Sequence, residues 1–194
     1  MPRISAATNA AQRENTKRAI LESFGKLLYS RGLPGLTMTD VAKNAGIGRT
    51  AVYNYFADMG ELLVAYALDE TERFIKELDE GLEGVDNPID QLAVYIRLQI
   101  EDLARRHLPP GPAMRSMLSP ESYAKLGKHV RELQMVLANI LSAAIAEHYI
   151  PENDIRELAM LIHGSLSSSA GRTEDAPDED TRERQIQSTI RFIQ

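Results

Sequence analysis

The stretch 37–56 brings together side chains whose chemistry suits recognition of a nucleic acid. Arg49 can donate two hydrogen bonds to the edge of a guanine, and its neighbour Thr50 could also reach a base. Hydroxyl and amide side chains more often bind phosphates, which position a protein on a duplex without specifying a sequence. The predicted contacts of this second kind are Thr37, Thr39, Tyr53, Asn54 and Tyr55. The two tyrosines could instead pack in the core beside Phe56.

Two short helices joined by a tight turn would hold these side chains in place. Thr37 can cap the first helix, and Asp40 puts a carboxylate in its first turn, so that the two form a capping box. Gly46 can adopt the left-handed conformation that ends a helix, and a second helix then starts near Gly48. This arrangement is a helix-turn-helix, whose second helix suits the major groove.

The same stretch resembles the DNA-binding motif of the TetR family of bacterial transcriptional regulators, because turn, core and surface positions all agree with the family's pattern. Two positions depart from it. Gly48 stands where the family commonly has a serine, so a hydroxyl cap is lost, and Met59 stands where a lysine often contacts phosphate. The matching positions are Thr37, Asp40 (one place early), Val41, Ala42, Ala45, Gly46, Ile47, Val52, Tyr53, Tyr55 and Phe56.

The charge of the chain is unevenly distributed. Its net charge is −6, which alone would not favour a nucleic acid as a partner. Residues 1–56, however, contain eight lysines and arginines against three acidic residues, a net charge of +5, and the remainder carries −11. A basic head on an acidic body would turn the head toward phosphates and hold the body away from them.

The rest of the chain predicts helices throughout. Apolar residues recur at helical spacing, turn residues separate the segments, and no alternating β pattern of useful length occurs. We therefore expect an all-α fold, with a three-helix DNA-binding domain over residues 1–56. A larger helical domain over 57–194 would serve ligand binding and dimerisation, as the resemblance implies. A helix over 57–81 would belong to both halves, so that it could transmit a change between them.

The resemblance implies a small-molecule effector, of unknown identity, held among the middle helices. Gln99 lies on the apolar face of a helix predicted over 89–107, where a ligand or a neighbouring helix could satisfy its amide. Lysine and arginine are missing from these faces, which favours a neutral or weakly polar effector over a dianion. The predicted lining is Tyr66, Thr71, Tyr95, Gln99, Met114 and Met117, although the methionines could equally fill the core.

The resemblance also implies a homodimer in which the last two helices pair across a two-fold axis. Small residues over 164–170 would let a second helix approach closely, and isoleucines recur at helical spacing near the C-terminus. Both helices could instead close their own domain. The residues predicted for the dimer seam are Ile162, Leu166, Ile186, Ile190 and Ile193.

Motifs for other kinds of chemistry are missing from the sequence. It holds no phosphate-binding loop, dinucleotide fingerprint, nucleophile elbow or metal-binding histidine pair, so neither an enzyme nor a cofactor is expected. It also lacks cysteine, a signal peptide and any apolar run of ~20 residues. These absences suit a cytoplasmic protein with no membrane partner.

The observations together favour a ligand-responsive transcriptional regulator, most simply a repressor. It would bind a palindromic operator in double-stranded DNA as a dimer and be released by a small molecule. Two alternatives stay open at this point. One is a DNA-binding regulator without an effector, and the other is an all-helical enzyme or interaction module.

Overall fold

A computed structural model describes residues 6–105, 108, 111–170 and 179–193, with the side chains at 6–8, 111–113, 128–129 and 167–170 excepted. These residues form α-helices and their connections without any strand, so the predicted all-α class is confirmed. None of the described helices is long and apolar enough to cross a membrane. In chain order the helices are α1 (Ala6–Arg31), α2 (Met38–Ala45), α3 (Arg49–Tyr53), α4 (Met59–Leu82), α5 (Pro88–Arg105), α6 (Gly111–Met117), α7 (Pro120–Ala146), α8 (Ile155–Ala170) and α9 (Glu179–Ile193).

The chain divides into two compact units. The first unit comprises Met1–Glu70 and Arg106–Leu126, and the second comprises Thr71–Arg105 and Gly127–Gln194. Helix α4 therefore begins in the first unit and ends in the second. These units are defined by contacts, whereas the boundary predicted between residues 56 and 57 separates two functions. That boundary stays a prediction.

The first unit is built on the apolar face of α1. Ile20, Phe24 and Leu28 recur at helical spacing, and all three side chains are buried, as the sequence predicts. The face packs on α2, and α2 in turn packs on α3, so the small helices have a common core. Gly25 lets α1 approach α4 closely, because a Cβ added there would lie 2.9 Å from the ring of Tyr66.

The second unit is organised around α5, which packs against α8 and α9. Its buried residues Leu92, Tyr95 and Ile96 belong to a core that also includes side chains from α4 and α7. Two ion pairs at the protein surface join α5 to neighbouring helices. The guanidinium of Arg105 lies 2.6 Å from a carboxylate oxygen of Glu77 on α4, and a second pair joins α5 to α9.

The C-terminal end of α7 shows how that helix is stopped. His148 has a φ of 63°, a left-handed conformation in which glycine would be less strained. This turn lets the backbone N–H of Tyr149 donate to the carbonyl of Ala144 at 2.9 Å. The Tyr149 hydroxyl then accepts a hydrogen bond from the Asn87 amide at 2.9 Å, so the turn is tied to the residues that precede α5.

Candidate nucleic-acid interface and effector site

The first helix of the predicted motif begins with the expected capping box. The backbone N–H of Asp40 donates to the Thr37 hydroxyl oxygen at 3.2 Å, and the Asp40 carboxylate accepts from the Thr37 backbone N–H at 3.0 Å. The Thr37 hydroxyl also donates to that carboxylate. These hydrogen bonds from Thr37 lower the pKa of Asp40 below its ordinary value, so the carboxylate stays charged at the positive end of the helix dipole.

The turn between the two helices depends on Gly46. Its φ is 68° and ψ is 26°, the left-handed conformation predicted for this position. The chain then folds back, and the Ile47 N–H donates to the Ala42 carbonyl at 3.0 Å. Gly48 caps α3 without any side-chain hydrogen bond, which is the loss expected from its departure from serine.

Helix α3 is short, and one of its sides is open to solvent. Arg49, Thr50 and Asn54 are exposed, whereas Val52 is buried and anchors the helix. Tyr53 is 42% exposed, so it does not pack in the core beside Phe56, which was the alternative for this residue. The Arg49 guanidinium lies 5.7 Å from the centroid of the Tyr53 ring. Arg49 is therefore held against an aromatic ring beside the surface it is predicted to read.

The second tyrosine of the motif packs in the core of the first unit and also contacts a basic side chain. Tyr55 is half-buried and packs against the core of the first unit, in keeping with the alternative of packing beside Phe56. The guanidinium of Arg13, on α1, lies over the Tyr55 ring, 5.7 Å from its centroid. This pairing could not be predicted from the sequence, because the two residues are far apart in the chain. Thr39 and the basic residues Lys17, Arg18 and Lys43 are also exposed.

The residues predicted to line an effector site fall into both units. Tyr66 and Met114 are buried in the core of the first unit, whereas Met117, in the same unit, is 49% exposed and not enclosed by it. Thr71, Tyr95 and Gln99 are buried in the second unit. The structure therefore groups three of the six in each unit, and the lining as a whole stays a prediction.

Tyr95 takes part in a short chain of hydrogen bonds. The Nδ1 of His163 on α8 lies 2.9 Å from the Ala159 carbonyl, which can only accept, so Nδ1 carries the proton. In the neutral ring Nε2 is then an acceptor, and the Tyr95 hydroxyl donates to it at 3.2 Å. Burial, together with the charge of Asp102, raises the pKa of Tyr95, so that it remains a neutral donor.

Two further polar side chains of α5 are buried, and both follow Tyr95 within two turns of the helix. Gln99 is 6% exposed, and its Oε1 has no hydrogen-bond partner among the described residues. Whether a ligand or a neighbouring helix satisfies the Gln99 amide stays open. Asp102 is 5% exposed and was missed by the sequence analysis. Its only signal was its helical spacing, three residues after Gln99.

The residues predicted for the dimer seam lie in the core of their own unit. Their side chains are buried in that core or packed against it, as the alternative in which the helices close their own domain also expects. Large apolar side chains that face solvent on the same two helices are Met160, Leu161 and Phe192. The place of the five residues at a dimer seam stays a prediction. These residues are Ile162, Leu166, Ile186, Ile190 and Ile193.

The described part of the chain contains no group of three or more histidine, cysteine, aspartate or glutamate side chains that could hold a metal ion. In the sequence His129 and Glu132 are three residues apart, as in a helical metal site, but the side chain of His129 lies outside the described residues.

Comparison with known proteins gives a match for the motif and its surroundings. Residues 20–66 match the model of a family described as bacterial regulatory proteins, tetR family. An uncharacterised HTH-type transcriptional regulator of Haemophilus influenzae is 34% identical over 74 residues, which is 38% of this chain and 36% of the relative. The chain thus spans about a third of the length of the curated relatives it matches.

Solved structures resemble almost the whole chain, at low identity. AibR, solved in complex with isovaleryl coenzyme A and operator DNA, is 19% identical with a TM-score of 0.78, covering 91% of this chain and 97% of that one. A regulator from Saccharomonospora viridis, solved in complex with choline, is 15% identical with a TM-score of 0.78 and coverages of 93% and 96%. At these identities the likeness establishes the shared fold.

Proposed function

Because residues 20–66 match the model of the tetR family of bacterial regulatory proteins, we propose that this chain is a ligand-responsive transcriptional repressor. It binds a palindromic operator as a homodimer and leaves the operator when a small molecule binds. The observation that carries the proposal is the capped helix-turn-helix, whose second helix exposes Arg49 and Thr50 while Val52 anchors it. Repression of this kind needs no catalytic group, and it takes place in the cytoplasm, where bacterial DNA is.

Operator recognition divides between reading and positioning. Arg49 and Thr50 open α3 and reach base edges in the major groove, where an arginine fork can bind guanine at two points. Thr37, Thr39, Tyr53, Asn54 and Tyr55 contact the backbone, together with the exposed basic residues of α1 and α2. Thr37 has a lesser role, since its hydroxyl already serves the capping box.

Dimerisation uses the outer faces of α8 and α9. One head covers half a site, and a symmetric dimer reads two half-sites whose centres are about 34–36 Å apart or a multiple of that spacing. The contacts come from Met160, Leu161 and Phe192, because these large apolar side chains are exposed on the two helices. Phe192 is 79% exposed, which leaves most of a phenyl ring available to a partner.

The switch lies in α4, which has residues in both compact units. An effector bound among the helical segments of the larger domain shifts α4, and with it the separation of the two reading helices. A coupling free energy of ~1–3 kcal/mol lowers operator affinity about 5- to 150-fold, and the operator lowers effector affinity by the same factor. Proteins of this fold have been solved with an anionic acyl-CoA and with the cation choline. The side chains of each chain, and not the fold, therefore select the charge of its effector.

The function is tested by selecting bound duplexes from a random library and measuring mobility shifts at several salt concentrations. We expect two-fold symmetric sites, and an affinity that falls linearly with salt on logarithmic scales because counterions are released. A chain that enriches no symmetric site and shows no salt-dependent shift would instead be an enzyme or an interaction module. A shift that no small molecule relieves would identify a regulator without an effector.

A further inference from the structure

The segment that follows α3 carries no positive charge of its own. From Thr50 to Glu72 the sequence has no lysine or arginine. The start of α4 is instead acidic, because the Ala57 N–H donates to the Glu61 carboxylate at 2.7 Å and the Glu61 N–H donates to the Asp58 carboxylate at 2.8 Å. These carboxylates occupy two amide groups that a phosphate at the helix N-terminus would otherwise use. A cation beside this segment must therefore come from another part of the chain.

Helix α1 supplies that cation. Arg13 precedes Ile20 by two helical turns on the same face, so it extends the buried face of α1 beyond the core of the first unit. The Arg13 guanidinium lies over the ring of Tyr55, and Tyr55 follows the last residue of α3 by two positions. Helix α1 thus brings an exposed guanidinium to the C-terminal end of α3, whereas Arg49 stands at the N-terminal end.

The N–H groups of Arg13 remain available to an acceptor from outside the chain. Within the described parts of the chain, its guanidinium forms no hydrogen bond or ion pair, and the aromatic ring is its contact. Residues 6–19 of α1 hold three basic residues and one acidic residue, so the charge around Arg13 is positive on balance. A guanidinium binds a phosphate at two points through its fixed fork of N–H donors. The geometry and the charge at this place therefore suit a phosphate.

We propose that Arg13 binds a phosphate of the operator outside the base pairs contacted by Arg49, and that the ring of Tyr55 holds its guanidinium in position. This inference rests on the proposed function, since it adds a contact to that DNA interface and extends the interface from the helix-turn-helix to α1. A phosphate contact strengthens binding to every sequence alike and adds nothing to base preference. The Tyr55 hydroxyl contributes its own backbone contact, but only the ring positions Arg13.

The salt dependence of DNA binding tests the phosphate contact. Arg13→Met keeps hydrocarbon over the ring and removes the charge. It is expected to reduce the slope of log affinity against log salt concentration by about 0.9 for each bound subunit, or about 1.8 for a dimer. Near 0.1 M salt the selected operator and a random duplex should both bind roughly ten-fold or more weakly. Arg13→Lys retains a charge and should restore most of the slope. Lys26→Ala removes an exposed charge elsewhere on α1 and should leave the slope unchanged.

Substitutions of Tyr55 separate its ring from its hydroxyl. Tyr55→Phe keeps the ring, so Arg13→Met should weaken operator binding by the same factor in this background as in the unmodified chain. Tyr55→Leu removes the ring, and Arg13→Met should then cost less than half of that factor. Tyr55→Met takes its place should that variant not fold. Fluorescence anisotropy provides the affinities, and equal factors in all backgrounds overturn the positioning role of the ring.

Neutral phosphates locate the contact on the DNA. A methylphosphonate at successive positions of the operator removes one phosphate charge at a time. The unmodified chain should lose affinity at a position outside the base pair whose preference depends on Arg49, and Arg13→Met should bind that duplex and the unmodified operator equally. If no such position exists, or if folded Arg13→Met keeps the full salt slope, Arg13 merely covers Tyr55 and the proposal is overturned.

Failure of the proposed function gives a different result. A chain that binds neither the operator nor a random duplex is no regulator, and both proposals fall together. A chain that binds duplexes without two-fold symmetry, and whose salt slope falls in Arg13→Met, keeps the phosphate contact while the repressor is rejected. A chain that binds a symmetric operator with a slope that Arg13→Met leaves unchanged keeps the repressor and loses the contact.

Discussion

At the scale of single residues, the Arg49 side chain is held in place on the surface that we propose to bind DNA. Its guanidinium lies 5.7 Å from the ring centroid of Tyr53, and both side chains are exposed on α3. An arginine held against an aromatic face loses less conformational entropy when it binds than a freely rotating one. Arg13 is held in the same way over Tyr55, which gives the surface two oriented guanidinium groups.

Replacing Arg49 tests whether it reads a base. Arg49→Ala is expected to weaken binding to the selected operator by about 1–3 kcal/mol and to relax the preference at one base pair of each half-site. Arg49→Lys keeps the charge but not the two-point fork, so it should retain affinity for random duplexes and lose discrimination. Fluorescence anisotropy with both kinds of duplex measures this, with Arg131→Ala, at an exposed position of α7, as the control. Full operator affinity in folded Arg49→Ala would reject the assignment.

At the scale of helices, α1 and α4 approach each other at a residue without a side chain. A Cβ at Gly25 would lie 2.9 Å from the ring of Tyr66, and the same ring packs edge-on against Phe24 at 5.5 Å between centroids. Tyr66 therefore contacts α1 at two adjacent residues. This contact lies wholly inside the first unit, so the start of α4 is fixed to the helix that supports the reading surface.

A pair of glycine substitutions should have opposite effects on stability. Gly25→Ala forces a Cβ to within 2.9 Å of the Tyr66 ring and should lower the free energy of unfolding by about 1–3 kcal/mol. Gly127→Ala on α7 meets nothing within 4 Å and should raise it by roughly 0.5–1 kcal/mol, because alanine is the better helix former. Urea denaturation of both variants checks the contrast. Equal effects of the two changes would mean that the close approach at Gly25 does not constrain α1.

The surface ion pair between α5 and α9 makes stability depend on pH in the acid range. Arg97 donates to both carboxylate oxygens of Glu183, at 2.6 and 2.8 Å. These hydrogen bonds, with a further one from Gln187, lower the pKa of Glu183 to about 2. The folded chain thus binds this proton more weakly than the unfolded chain, so the pair stabilises the fold above the ordinary pKa of 4.5 and loses its effect as pH falls toward 2.

Comparing the chain with a Glu183→Gln variant isolates that contribution. The variant should be less stable than the original at pH 7, and the difference should shrink as the pH is lowered from about 5 to about 3. The difference should also be smaller at high salt, since both side chains are partly exposed. Urea midpoints at each pH provide the measurement. A stability difference that is constant over this range would show that the pair does not link α5 to α9.

The features that the sequence predicted well are those decided within a few residues. Thr37, Asp40 and Gly46 act through hydrogen bonds and backbone angles of their own segment, so their roles could be read directly. The partners of an apolar face are decided by the whole chain. The spacing of Ile186 and Ile190 correctly predicted an apolar stripe on α9, but it could not distinguish the chain's own core from a second subunit. Asp102 was missed for the same reason, since one carboxylate within a helix normally faces water.

At the scale of the whole molecule, α9 is apolar on two sides. Ile186 and Ile190 face the core of the second unit, and Phe192 faces solvent. One side therefore serves the fold of the subunit, and the other is proposed to serve its assembly. The basic segment 1–56 and the acidic remainder add a polarity of charge, which would orient the proposed dimer on DNA.

Two substitutions on α9 should separate assembly from folding. Phe192→Glu puts a charge on the exposed side and should give folded monomers that bind operator weakly, because a single head covers half a site. Ile190→Glu buries a charge in the subunit core and should unfold the chain. Light scattering and circular dichroism at micromolar concentration distinguish these outcomes. A dimer that persists in Phe192→Glu would place the seam elsewhere, and a monomeric unmodified chain would reject the dimer.

The two apolar sides of α9 also make the stability of the proposed dimer depend on its concentration. A helix that belongs to the subunit core on one side and to the dimer contact on the other makes folded subunits more stable when they pair, so mass action protects a concentrated protein from unfolding and proteolysis. In the proposed repressor, operator occupancy would then depend more steeply than linearly on how much chain the cell makes. Halving the supply would lower repression twice, once because fewer subunits exist and again because a smaller share of them is paired.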